Sequence, residues 1–163
     1  MPRKAMDYSK TIIYKIVCND LNITECYVGH TTNFIQRKNR HKSNCNCETN
    51  DSYNFKIYKF IRDNGNWNNW TMIEIEKYPC NDINEATARE RYWYEQLNSK
   101  LNTDCPARTQ KEYYNTNKEQ ILEQKKQKFN CECGNNYSCT NKARHMNSQK
   151  HINFMASKTN TTI

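Results

Sequence analysis

Two tyrosines, an arginine, a histidine and a core-facing glutamate are the residues of this chain whose types and spacing could do chemistry. The stretch YVGHTTNFIQRKNRH (27–41) carries Tyr27 on a short extended segment, then enters a helical one that sets Arg37 and His41 one turn apart. Phe34, Arg37, Lys38 and His41 share a face of that helix; with Phe34 turned inward, Arg37 and His41 lie close to the sheet beside the end of the Tyr27 strand. Tyr14, in TIIYKIVC (11–18), supplies a second strand phenol. Arginine can clamp a phosphate through two parallel hydrogen bonds, and tyrosine or histidine can move a proton. A solvated basic helix face and sheet-packing phenols account for the same residues without chemistry.

The glutamate sharpens the choice. At about 100° per residue, Ala86, Glu90, Trp93 and Leu97 fall in one stripe of a helix expected over 82–98, with Ile83 and Tyr94 at its edges. Glu85 and Glu95 point elsewhere. A carboxylate taken out of water is costly unless something compensates it, so Glu90 needs a cation. Arg37, Arg89 or a lysine would make a structural ion pair; a hard divalent metal, which oxygen ligands suit, would make a reactive site. Arginine, glutamate, tyrosine and histidine together are the parts of a phosphodiesterase.

These residues must be positioned by a small scaffold. TIIYKIVC (11–18), ECYVG (25–29) and WTMIEIEKY (70–78) read as strands, the first two joined by a polar hairpin connection. Asn33, with Gln36 three residues on, starts a helix over about 33–42. YNFKIYKFIRDNG reads as a helix stopped at Gly65. The expected fold is α+β: a small three-stranded antiparallel sheet flanked by helices, with a helical linker and a small zinc-finger-like module behind it. The boundaries are a basic arm at 1–10, the α+β domain at 11–107, a linker at 108–128, the small module at 129–154 and a disordered polar tail at 155–163.

In this order the residues resemble the GIY-YIG endonuclease family. Its first signature appears as IIY (12–14), with Ile12 where the family has glycine, and its second as YVG (27–29). The family's helix arginine, ten residues after the second tyrosine, falls on Arg37, and the histidine one turn later on His41. Its glutamate matches Glu90 in RERYWYEQLNSKLN, and a downstream asparagine matches Asn102, which could equally cap a helix. The resemblance spans about 11–105. It implies a DNA endonuclease in which Glu90 binds Mg²⁺ or Mn²⁺ and Arg37 neutralises charge on the scissile phosphate. Tyr14 helps to activate water, Tyr27 and His41 position the phosphate or relay protons, and Lys38 and Arg40 add nucleic-acid contacts. RNA remains open as a substrate, and a non-catalytic nucleic-acid binder using the same basic surface is the rival reading.

CECGNNYSCTNKARHMNSQKH offers a second cluster: Cys131, Cys133, His145 and His151, two thiolates on a hairpin and two imidazoles on a helix, a set that suits tetrahedral Zn²⁺. The histidine spacing lies within zinc-finger range; the Cys-x-Cys spacing is one residue short. Cys139 competes as a ligand, and a reduced, metal-free tail is the plain alternative. The finger's helix carries Lys142, Arg144 and Lys150, suited to phosphate contacts. Cys45 and Cys47 lack a fourth partner for a second site.

Composition bounds all of this. The 163 residues carry a formal net charge of +8 and are 36% hydrophobic, with a mean hydropathy of −1.14 and an isoelectric point near 9.0. That balance favours a polyanionic partner. No segment approaches the roughly 20 apolar residues of a membrane span, and the N-terminus lacks a secretory signal's apolar core. An intracellular monomer, not secreted, is expected, in the nucleus or cytoplasm. Nine cysteines, an odd count, point to metal ligation and free thiols rather than a disulfide framework.

Overall fold

The computed structural model describes residues 6–159. Two compact units divide the chain, Met1–Arg108 and Thr109–Ile163. The expected basic arm lies partly outside the described residues: 1–5 are not described, and Tyr8–Lys10 form a short 3-10 turn.

The first unit is built on a three-stranded antiparallel sheet in the order β2–β1–β3. Strand β1 (Ile12–Cys18) is central, β2 (Cys26–Thr31) and β3 (Trp70–Lys77) flank it. The α+β expectation is met. β-branched and aromatic residues fill β1 because both of its faces are covered, and Ile13, Tyr14 and Ile16 are fully buried. Register sets Tyr14 opposite Gly29 and Ile16 opposite Tyr27. Period-2 alternation then puts Tyr27 and Gly29 on one face of β2 and Val28 and His30 on the other.

Helix α1 (Phe34–Asn46) starts as the sequence suggests, the Asn33 side chain accepting the Gln36 N–H at 3.0 Å; such a cap is worth about 1 kcal/mol. It continues past the expected end at 42 because Asn44 and Cys45 are buried against α2 (Lys56–Asp63) rather than left in a loop. Helix α2 buries Ile57, Tyr58 and Ile61, which join Tyr14, Ile16, Trp67, Trp70, Met72 and Leu101 in the main core. It stops before Gly65, whose φ of +93° is open to glycine at little cost. Helix α3 (Ile83–Gln96) is capped by the Asp82 carboxylate, which accepts from the Asn84 and Glu85 N–H groups, and it packs on β2.

After α3, the 99–102 segment covers the free edge of β2. Leu101 N–H and the Ser99 hydroxyl both donate to the Cys26 carbonyl, at 3.1 and 2.9 Å. The Asn102 amide bonds both backbone groups of Val28, accepting from its N–H at 3.0 Å and donating to its carbonyl at 2.8 Å. An edge strand's unpaired row is thereby satisfied.

In the second unit, α4 (Gln110–Lys126) begins with a reciprocal Thr109/Glu112 capping box and contacts the 139–141 turn. The expected linker helix is therefore part of the second unit. A hairpin, β4 (Lys128–Asn130) with β5 (Asn136–Ser138), precedes the short α5 (Lys142–Met146) and α6 (Gln149–Thr159). The tail expected to be disordered from 155 stays helical to 159; residues 160–163 lie outside the described ones. No described helix is long and apolar enough to cross a membrane.

Candidate active site and metal cluster

The β1 and β2 phenols and the α1 side chains meet in a buried chain of hydrogen bonds. Arg37 Nε donates to the Tyr14 hydroxyl at 2.9 Å, and that hydroxyl lies 2.9 Å from His41 Nε2. His41 Nδ1 lies 2.9 Å from the Tyr58 hydroxyl, which also accepts from Asn44 Nδ2 at 3.2 Å. Burial, then the nearby Arg37 and Arg40 charges, push His41 down to about 3, so its imidazole is neutral. A neutral ring has one donor and one acceptor. The Tyr14 oxygen accepts from Arg37 and the Tyr58 oxygen from Asn44, so one phenol donates to the imidazole and the other accepts from it, and both ring nitrogens are used.

The tyrosines divide their labour. Tyr14 is 0% exposed and lines neither of the clefts that border the site. Tyr27 lines both. Burial raises both phenols above their usual range, partly offset by Arg37, and Tyr14 the further of the two. Of the two phenols Tyr27 is the one that borders the clefts, and the hydroxyl end of Tyr14 packs over Gly29 behind it. A Cβ on Gly29 would sit 2.5 Å from the Tyr14 hydroxyl and 3.0 Å from a Tyr27 ring carbon, which is why this strand position has no side chain. Arg37 is partly buried: desolvation pulls its pKa down, but the two phenols more than compensate, and it stays charged.

Glu90 comes to this group from α3. Its side chain is 12% exposed, as the helix stripe required, and it lines both clefts, of about 470 and 610 Å³, together with Tyr27, Arg37 and Arg40. Its partner is none of the expected cations. Arg89 is taken by Glu76, at 2.8 and 3.0 Å, and Arg37 by Tyr14. His30 Nδ1 instead lies 2.5 Å from Glu90 Oε2, with the imidazole 20% exposed.

His30 and Tyr58 are the site residues that sequence reasoning missed. Ending β2 at Gly29 left His30 in a loop, whereas the strand runs to Thr31. Its signal was available: His30 is two residues from Val28, on the face that a covering helix must meet. Tyr58 lies in the YNFKIYKFIRDNG helix and is a member of the core as well. Asn102 borders one cleft, but its amide is spent on Val28 and Ser99, so it holds β2 in place. Arg40 is exposed along both clefts; Lys38 is exposed outside their lining. Ile12, the departure from glycine, is half-buried at the strand start and lines neither cleft.

In the second unit Cys131, Cys133, His145 and His151 converge, their ligand atoms all within 4.8 Å of one another. The Cys131 Sγ–His151 Nδ1 distance is 3.4 Å and Cys133 Sγ–His145 Nε2 is 3.6 Å. A tetrahedron with Zn–S of about 2.3 Å and Zn–N of about 2.0 Å has S–N edges of about 3.5 Å, so the donor set fits that ion. The short Cys-x-Cys spacing works because the chain turns at once: Gly134 N–H donates to the Cys131 carbonyl at 2.9 Å, and Gly134 has a φ of +81°. The histidines converge because the helix breaks at 147–148, between α5 and α6. Cys139 is exposed and outside the cluster. Cys45 is buried, Cys47 is exposed, and neither joins a group of potential ligands among the described residues.

The model of one protein family, described as the GIY-YIG catalytic domain, matches residues 10–102. No curated protein and no solved structure matches the chain.

Proposed function

This chain belongs to the GIY-YIG catalytic domain family, and from that premise we propose that it is a divalent-metal-dependent endonuclease hydrolysing DNA phosphodiester bonds. The observation that carries the reading is the placement of Glu90. A nearly buried carboxylate faces a basic cleft beside Arg37 and Tyr27, where a protein that only gripped phosphate would gain nothing from it.

Glu90 is the residue that would hold Mg²⁺ or Mn²⁺: it is the nearly buried carboxylate that borders both clefts, and such ions are bound through one or two carboxylates while keeping several waters. Once bound, the ion supplies charge neutralisation and Lewis acidity at the phosphate. His30 fixes the Glu90 carboxylate in one orientation. Arg37, itself held through Nε by Tyr14, turns its remaining N–H groups to the phosphate and stabilises charge that develops on it. Tyr27 orients the attacking water; with its pKa raised by burial it stays protonated at neutral pH. His41 and Tyr58 lock Tyr14 from behind, and Asn102 locks β2, so all three act by positioning. Arg40 and Lys38 extend the basic surface along the substrate.

In the second unit Cys131, Cys133, His145 and His151 hold Zn²⁺ in a structural role, since four protein ligands leave no open position. A unit with so few buried side chains draws its folding free energy from that ion.

The test is plasmid nicking with and without Mg²⁺, on wild type and Glu90→Gln side by side. We expect Mg²⁺-dependent nicking that the substitution abolishes while low-salt DNA binding persists. Wild type that binds but does not nick with or without Mg²⁺ makes the chain a nucleic-acid binder instead, and undiminished cleavage by the variant removes Glu90 from the mechanism.

A further inference from the structure

The second unit has a depression of about 650 Å³ between the end of α4, the β4–β5 hairpin and α5. Lys125 and Lys126 reach it from α4, Lys128 from β4 and Arg144 from α5. All four are exposed. Among the described residues no carboxylate lines this groove, and none of the four cations is in an ion pair. Glu132, on the turn that carries the two thiols, is already paired with Lys158. Two lysines in a last helical turn are explained by the helix dipole alone. Lys128 is not, and with Arg144 it comes from a separate element onto the same groove, where like charges repel unless an anion runs between them.

We infer that this groove is a second nucleic-acid site, which tracks the phosphates of a DNA duplex independently of the cleft in the first unit. The wall argues for backbone contact over base stacking. The ring of Tyr137 is already engaged within the protein, 4.8 Å from the His145 ring at 16° and 5.8 Å from that of Phe129 at 27°, whereas the four exposed cations can meet phosphate. His145 is also a member of the Cys/His cluster, so the wall is fixed by the same residues that hold the unit together. The finger-helix lysines take another place: neither Lys142 nor Lys150 lines the groove, and Lys150 Nζ donates to Asn135 Oδ1 at 2.8 Å.

Each duplex phosphate neutralised contributes about −0.9 to the slope of log K against log salt. Binding of the full chain to a duplex oligonucleotide, followed by fluorescence anisotropy without added Mg²⁺, should therefore lose roughly 2 to 3 units of slope in a variant carrying Lys125→Gln, Lys126→Gln and Lys128→Gln. Its zinc content, measured in parallel, should equal that of wild type. The Lys111→Gln, Lys118→Gln pair, exposed on α4 outside the groove, should leave the slope within about half a unit of wild type. A triple variant that retains zinc and the wild-type slope overturns the proposal, as does an equal loss in the helix-face pair. So does a single strand whose binding loses more slope than the duplex. Nicking is read separately: its absence in wild type sinks the nuclease reading and leaves the groove standing.

Discussion

Acidification should unlock the buried site before it unfolds anything else in the first unit. His41, 2% exposed, is held neutral by burial and by two arginines, its pKa brought from 6.5 to about 3. The folded value is depressed, so His41 contributes stability that is complete above the unfolded pKa and is lost as pH falls toward the folded one. Linkage puts the loss at about 2 kcal/mol by about pH 5 and about 3 kcal/mol by about pH 4. With a urea dependence of about 1–3 kcal/mol per molar, the midpoint should fall by about 1 M between pH 7 and pH 5. Carboxylates lowered in the fold, such as Glu76 under Arg89, add their own loss as pH falls through the usual carboxylate range and below it.

The readout is convenient. All three tryptophans, Trp67, Trp70 and Trp93, belong to the first unit, and Trp67 lies stacked on His41 at 6.3 Å and 8°. Tryptophan fluorescence in urea series at several pH values therefore reports this unit and not the Cys/His one. His41→Gln, which keeps a donor and an acceptor but does not titrate, should flatten the dependence between pH 7 and pH 5. A wild-type midpoint that stays constant over that range, or an equal slope in the variant, refutes the assignment of a neutral, doubly bonded imidazole.

Two other outcomes follow from distances already given. Gly29→Ala drives a methyl group to 2.5 Å from a Tyr14 hydroxyl that two hydrogen bonds hold in place; overpacking of this kind costs about 1–3 kcal/mol. Displacing the Arg37 anchor should also lower nicking by on the order of 100-fold, and a variant with wild-type rates would show that Tyr14 does not set Arg37. Metal analysis should find one zinc per chain, kept by Cys139→Ser and lost by Cys133→Ser. Removal of zinc should reduce far-ultraviolet helicity from the second unit without moving tryptophan fluorescence, and zinc loss in the Cys139 variant would redraw the ligand set.

What could be read from the residues beforehand divides by how local its cause is. The Asn33 cap, the 37/41 helix spacing and the apolar stripe that buries Glu90 depend on neighbours within a few positions, and each appears in the structure. The glutamate's partner depends on β2 extending to Thr31 and on α3 lying across its inner face, two facts set by packing between segments 60 residues apart. The same reasoning separates the tyrosines. Alternation gives both a place on the sheet, yet only the strand pairing of Tyr14 with Gly29 decides that the hydroxyl end of Tyr14 packs over Gly29 and borders neither cleft.

Asn102 makes the point most sharply, because its order in the chain matched a site residue while its atoms do something else. Both ends of its amide bond the backbone of Val28, one position from Tyr27 and from Gly29. Residue order can tell which side chains gather at a site. How each donor and acceptor is spent, and which clefts a side chain borders, are set by tertiary packing: the groups of His41 and Asn102 are committed inside the protein and border one cleft only, whereas Arg37, Tyr27 and Glu90 border both.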